Sequence, residues 1–286
     1  MPIEIHIKSS VLHVQQSFIS PTVYLDHWAI RLFSEDIALQ NRFVSALNNK
    51  KGTLLISTFS LSEFSSSNNS RHAIDAESFI ERLLPNIFLT DFALNKIIDR
   101  ERAETNNIKR FWPPADLPQL IFLIQNSPHN KLTFSGFITL AHIYRDEILE
   151  EQRALVLQIK EKIEMCRSSP SSIKQAKNNK PDNNLPRTII ILDELLRGYY
   201  LDLTAPITNN DIIDLLHAMI PINCCDFVLL DGAWEQRVQR MKHRIANAGL
   251  DLPLAECFSR RKDGIYAFLN KLEAFDKNSQ TNIAIP

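Results

Sequence analysis

The chain has 286 residues, 44% of them hydrophobic and 23% charged, which is enough apolar content for one large core or two smaller ones. Its formal net charge of −1 excludes a molecule drawn as a whole to polyanions, so nucleic-acid binding would need a local patch. Four cysteines, two of them adjacent as Cys224 and Cys225, make neither a disulfide framework nor a zinc-spaced set, and six glycines argue against a nucleotide-cradling loop. The opening MPIEIHIKSS has no basic segment ahead of an apolar run. No stretch reaches the roughly 18 apolar residues of a bilayer span, so a cytoplasmic protein away from membranes is expected.

In chain order, Ile3, Ile5 and Ile7 alternate with polar residues and predict a half-exposed strand at a sheet edge. Ser20-Pro21 breaks the chain before Thr22-Val-Tyr-Leu-Asp26, an apolar strand that ends on a carboxylate. A helix follows over 36–48. Gly52 precedes a second strand, Leu54-Leu-Ile-Ser57, which feeds a helix carrying Glu63 in the segment STFSLSEF. Residues 65–70 read as a polar loop and 73–84 as a helix closed by Pro85; 87–90 give a third strand with Asp91 at its end. A polar helix is predicted over 97–112, stopped by Pro113-Pro114, and a long charged helix over 134–166. Residues 168–186 (SSPSSIKQAKNNKPDNNLP) are poor in apolar residues and read as a flexible linker.

A helix over 189–200 then leads into the stretch that organises the chain, NDIIDLLHAMIPINCCDFVLLD at 210–231. Ile212, Ile213, Leu215, Leu216, Met219 and Ile220 cover most of a helix that Pro221 should stop. Asp211, Asp214 and His217 are its polar exceptions and share one stripe at i, i+3, i+6. Residues 224–230 read as a buried strand closed by Asp231-Gly232, with Asp226 inside it facing solvent or an arginine. Helices over 234–247 and 263–275 complete the pattern. Strands alternating with helices on both sides of a long middle region predict an α/β fold with a parallel sheet.

Asp26, Glu63, Asp214 and Asp231 thus fall at or just past strand carboxyl ends, or in early helix turns, and such positions converge on the ligand crevice of an open α/β sheet. In Asp26 after its strand, Glu63 in STFSLSEF, Asp214 in DIIDLLHA and Asp231 after CCDFVLL, the chain resembles the PIN-domain family of metal-dependent ribonucleases. The resemblance covers 23–64 and 211–234. It implies a three-layer α/β/α sandwich around a mostly parallel sheet, a Mg²⁺ or Mn²⁺ site and phosphodiester hydrolysis. About 150 positions separate Glu63 from Asp214, far beyond an ordinary connection. The expected division is therefore a PIN-like core at 1–91 and 187–275, a large helical insertion at 92–167 and the linker at 168–186.

Each acid also has a plainer account. Asp26 could cap the helix behind it, Ser60 and Glu63 form a capping box, Thr208 can cap a helix with Asp211 in its first turn, and Asp231 can serve a turn. Asp214 lies a turn deeper among apolar neighbours and is the hardest to explain away. Trp28 reads as a core anchor or a stacking surface. Arg237, Arg240 and Arg244 form a stripe at i, i+3, i+7, either an ordinary solvated face or a phosphate-contacting one.

Four carboxylates facing one crevice cannot all stay ionised and unpaired, because two unit charges about 4 Å apart repel by about 4 kcal/mol at an effective dielectric of 20. Oxygen ligands without a His or Cys set favour Mg²⁺ or Mn²⁺ over Zn²⁺. The expectation is a Mg²⁺- or Mn²⁺-dependent endonuclease. Asp26, Glu63, Asp214 and Asp231 would hold the metal, Asp211 or His217 would support them from behind, and Arg237, Arg240 and Arg244 would contact nucleic acid. The resemblance favours RNA over single-stranded DNA as substrate and leaves room for an antitoxin-like inhibitor or a second copy of the chain as protein partner. The alternative is a catalytically silent PIN-like module that binds RNA or a protein through its helical insertion.

Overall fold

The structure is a computed structural model that describes residues 2–8, 11–57, 70–103, 111–125, 133–136 and 145–276. In chain order the first half forms β1 (Ile3–Lys8), β2 (Val11–Gln16), β3 (Thr22–Leu25), α1 (His27–Glu35), α2 (Ile37–Lys50), β4 (Thr53–Ile56), α3 (Ser70–Glu81), β5 (Ile87–Leu89), α4 (Leu94–Ala103) and α5 (Leu117–Gln125). The second half forms α6 (Arg145–Arg167), α7 (Pro170–Asn178), α8 (Arg187–Leu201), α9 (Asn209–Cys224), β6 (Phe227–Leu229), α10 (Gly232–Asn247), β7 (Glu256–Phe258) and α11 (Gly264–Ala274).

Strands β3 to β7 make one parallel sheet in the order β5-β4-β3-β6-β7. The strands TVYL, TLLI, IFL and FVL are buried throughout, as strands covered on both faces must be. Alternate residues divide between two cores. Val23, Leu25, Leu54, Ile56, Ile87, Leu89, Phe227, Leu229 and Phe258 join α1, α2, α3, α5 and α11 on one face. Tyr24, Leu55, Phe88, Val228 and Cys257 join α4, α6, α8, α9 and α10 on the other. This is an α/β architecture consistent with a three-layer sandwich. On the first face Phe33, Phe43, Phe79 and Phe268 stack around Phe43, with centroids 5.0 Å (Phe33), 5.9 Å (Phe79) and 6.0 Å (Phe268) from it. Among the described residues no helix is long and apolar enough to cross a membrane.

Several local expectations are corrected by tertiary context. The Ile3 strand does not join the main sheet; β1 and β2 form a separate antiparallel hairpin whose Ile3, Ile5, Leu12 and Val14 pack on the first core. The Gln16 side chain at the end of the hairpin pairs with both backbone groups of Leu89, at 2.7 and 3.1 Å, and so covers part of the β5 edge. Phe111 and Trp112 are not helical, in keeping with the restriction that Pro113 places on the residue before it. The long helix predicted from Phe134 begins within the described residues only at Arg145; Gly136, at φ 85°, is in a turn no helix admits. The apolar helix α5 is additional to the predicted elements. The polar segment 168–186 contains α7, nucleated by Ser169 capping Ser172 with Pro170 in the first turn. Pro221 does not stop α9, which runs on to Cys224, because that last turn is buried and packing offsets the lost hydrogen bond.

The sheet's centre is fixed by one reciprocal contact. Asp226 does not face solvent: it is buried and its Oδ2 accepts from Thr22 N at 2.7 Å and Thr22 Oγ1 at 2.9 Å. Asp226 N donates back to Thr22 Oγ1 at 2.8 Å. The start of β3 is thereby locked to the residue before β6, across 204 positions of chain. Asp226→Ala leaves two buried donors without acceptors and should lower stability by about 3 kcal/mol in urea unfolding. A loss under about 1 kcal/mol would show that the contact is replaceable by water.

Candidate functional site

The chain leaves β3 for β4 and β5 on one side and returns to β6 and β7 on the other, so the strand order reverses between β3 and β6. Crevices for ligands in open α/β sheets lie outside the strand carboxyl ends at such a reversal. Asp26 follows β3 and Asp231 lies just past β6. Val23, Tyr24 and Leu25 pair with Phe227, Val228 and Leu229, and Asp26 N continues the ladder to Leu229 O at 3.1 Å. The register sets Asp26 level with Leu230, so Asp231 leaves the neighbouring strand one residue further on.

Both acids also perform the plainer role that the sequence allowed. Asp26 caps α1 through Oδ1, which accepts from His27 N at 2.8 Å. Asp231 caps α10 through Oδ1, accepting from Ala233 N at 2.7 Å and Trp234 N at 2.9 Å. Each carboxylate thus sits at the positive end of a helix, which favours its charge and positions it at once. The indole N–H of Trp28 is buried without a hydrogen bond of good geometry, yet lies near enough to Asp26 to favour the ionised form.

Asp214 arrives from α9. Burial raises its pKa to about 6, repulsion from Asp231 and Asp211 adds to the rise, and Arg237 and the Trp234 indole oppose it. Burial likewise pushes Asp26 up to about 7, with Asp214 and Asp231 raising it further and the His27 amide holding it down. Three acids far apart in the chain therefore share one field. Glu63 lies outside the described residues.

The supporting residues divide differently from expectation. Asp211 completes a capping box with Thr208, accepting from Thr208 N at 2.9 Å and Thr208 Oγ1 at 2.7 Å. His217 is buried, hydrogen-bonds the Tyr24 hydroxyl at 3.1 Å through Nδ1, and has its pKa lowered to about 3, chiefly by burial and then by His27. It is a neutral group that ties α9 to β3. Arg237 is not left on an open stripe. It donates to the Tyr199 hydroxyl at 2.6 Å, lies over the Tyr199 and Trp234 rings at 4.6 and 4.9 Å, and reaches Asp211 at 4.0 Å. Arg244 grips Glu194 with both arms at 2.6 and 3.0 Å. Of the three arginines only Arg240 is exposed. The stripe is broken because α8 supplies Tyr199 and Glu194, partners that spacing along α10 cannot reveal.

Sequence reasoning passed over the segment Ser259–Asp263, SRRKD, at the carboxyl end of β7. Its signal was available: three cations in a row between an apolar strand and an apolar helix. Arg260 lies 4.3 Å over the Trp28 ring, two residues from Asp26.

The donor set of carboxylate oxygens is chemically suited to Mg²⁺ or Mn²⁺. Among the described residues, however, no three His, Cys, Asp or Glu side chains are close enough to hold one ion together. Asp26, Asp214 and Asp231 interact at electrostatic range. Comparison with protein families, curated proteins and solved structures gives no match to this chain.

A carboxyl raised from 3.8 to about 7 binds more protons folded than unfolded between those values, so its contribution favours folding below pH 4 and is lost as pH rises through 7. The shift corresponds to about 4 kcal/mol. Asp26→Asn keeps a capping acceptor and removes this titration. In metal-free buffer the variant should match the wild type near pH 4 and exceed its stability by about 2–4 kcal/mol at pH 8, read by urea unfolding at both pH values. Equal stabilities at pH 8 would place Asp26 in a solvated, unrepelled setting.

Proposed function

We propose that the chain is a PIN-like, metal-dependent endonuclease that hydrolyses phosphodiester bonds in RNA, with Asp26, Asp214, Asp231 and Glu63 holding Mg²⁺ or Mn²⁺. One observation carries the reading: two strand-end carboxylates and one helix carboxylate, half-buried and within range of mutual repulsion, lie where the strand order reverses. Glu63 enters from the resemblance and from its place after β4, the neighbour of β3. Residues 92–167 are read as the helical insertion of such a core, and a protein inhibitor or a second copy of the chain as partners compatible with it.

When bound, the cation supplies an activated water and offsets the charge that builds on a phosphorane-like transition state. The chain's own groups do the positioning. The helix N-termini of α1 and α10 aim Asp26 and Asp231 through a single oxygen each. Arg237, braced by Tyr199, and the Trp234 indole hold Asp214 against its like-charged neighbours. His217 stays neutral and keeps α9 against β3.

A silent binding module is the second reading. Its support is the lack of three jointly ligating side chains among the described residues. The two separate in a cleavage assay of mixed RNA with Mn²⁺. The nuclease reading expects wild-type cleavage and a loss of several kcal/mol of transition-state stabilisation in Asp26→Asn, Asp214→Asn and Asp231→Asn, ~1000-fold in rate, with no variant less stable than wild type. Folded wild type that cuts neither RNA nor single-stranded DNA would leave the binding module.

A further inference from the structure

A crevice lined by acids on a chain of net charge −1 repels the polyanion it is proposed to cut, so cations must lie beside it. The arginine stripe of α10 leaves only Arg240 exposed, since Arg237 and Arg244 are engaged within the fold. Resting on the nuclease reading, we infer that Arg260 and Arg261, in the turn after β7, are the positioning residues that grip the phosphates of a single RNA strand on either side of the acid crevice.

The turn is built to hold these two side chains in place. Ser259 is buried, donates to Glu235 Oε2 on α10 at 2.6 Å, and accepts from Arg261 N at 3.2 Å. Lys262 and Asp263 follow with φ of 51° and 57°, a left-handed conformation that costs non-glycine residues free energy and persists only where its surroundings enforce it. Gly264 closes the turn so tightly that a Cβ there would lie 2.1 Å from Ser259 O.

The two side chains then rest on different elements. Arg260 lies over Trp28, in the first turn of the helix that Asp26 caps. Arg261 lies across Gly232, the residue after Asp231; a Cβ on Gly232 would stand 2.4 Å from its Nε and 2.8 Å from its Cζ. A side chain at Gly232 would displace the end of Arg261 from this position. Arg260, Arg261 and Lys262 are all exposed, and among the described residues none is paired with a carboxylate. An ordinary solvated loop does not require the ring under Arg260. Two adjacent residues cover a short length of backbone, which suits consecutive phosphates of one strand better than the two walls of a duplex groove. Arg presents a planar fork matched to phosphate oxygens.

The test is anisotropy of a labelled single-stranded oligoribonucleotide of about 12 nucleotides with the full chain in EDTA, where cleavage does not intervene, between ~50 and ~200 mM KCl. Wild type should bind with affinity falling steeply with salt. R260Q and R261Q should each reduce the slope of log affinity against log salt by about 0.7, and the double variant by about 1.4 with roughly tenfold weaker binding at low salt. R260K with R261K should keep the wild-type slope, and Lys174→Gln on α7 should change nothing. The single variants carry the test if the double variant loses its melting transition. Wild-type slope and affinity in folded R260Q and R261Q would overturn the inference, as would wild type that shows no salt-dependent binding. The nuclease reading fails separately, on absence of cleavage with Mn²⁺, a result that leaves these slopes unaffected.

Discussion

The desolvation of Asp26 and Asp214 at the reversal of strand order, with repulsion from neighbouring acids added to it, is the constraint on which the rest of the structure depends. Burial and like charge together hold Asp26 near 7 and Asp214 near 6, far above an exposed carboxylate. A fold that brings such groups together must stabilise them elsewhere. It does so by placing two of them on helix N-termini, whose exposed amides and dipoles favour negative charge. It also sets Arg237 against the third, with the guanidinium fixed between Tyr199 and Trp234. Beneath them, the Thr22–Asp226 contact fixes β3 against the start of β6, so the spacing of the two strand ends is set from the opposite end of the same strands.

The two faces of the sheet make different contributions. The phenylalanine cluster around Phe43 and Phe33 gives α1 a rigid seat, and with it the cap at Asp26. The other face brings α8, α9 and α10 together, and it is there that Asp214 acquires its neighbours. The turn after β7 spans the two, since Arg260 reaches α1 and Arg261 reaches the start of α10. Under the proposed reading, acids that bind metal and cations that bind phosphate are presented along one edge of the sheet by separate elements. Each sign of charge can then be altered without dismantling the other.

Much of this was legible in the sequence, for identifiable reasons. Apolar runs ended by aspartate marked β3 and β6, and the parallel sheet followed from strands alternating with helices. Asp214 stood out because neither capping nor the helix dipole explained it. Long-range pairings were not legible. Nothing local links Thr22 to Asp226, or Arg244 to Glu194, and spacing along α10 suggested an open stripe where α8 in fact covers it. Pro221 misled because propensity is local while the last turn of α9 is held by packing. The polar stretch 168–186 reads as a linker by composition, and within it Ser169-Pro170 is a helix start signal that α7, with no buried residue, follows. The SRRKD turn was overlooked because a charge run usually means a solvated face, and only the neighbours of Arg260 and Arg261 distinguish it.

Under the proposed reading, burial and like charge hold the pKa values of Asp26 and Asp214 up until a divalent cation neutralises the site. The most direct measurement is a pH titration of the Asp26 and Asp214 side-chain carboxyl carbons by NMR, with and without saturating Mg²⁺. Without the ion Asp26 should titrate near 7 and Asp214 near 6. With Mg²⁺ both should fall to the ordinary carboxylate range or below, since a cation favours the ionised form. Titration of Asp26 near 3.8 in the absence of metal, or a raised pKa that Mg²⁺ leaves in place, would contradict the account.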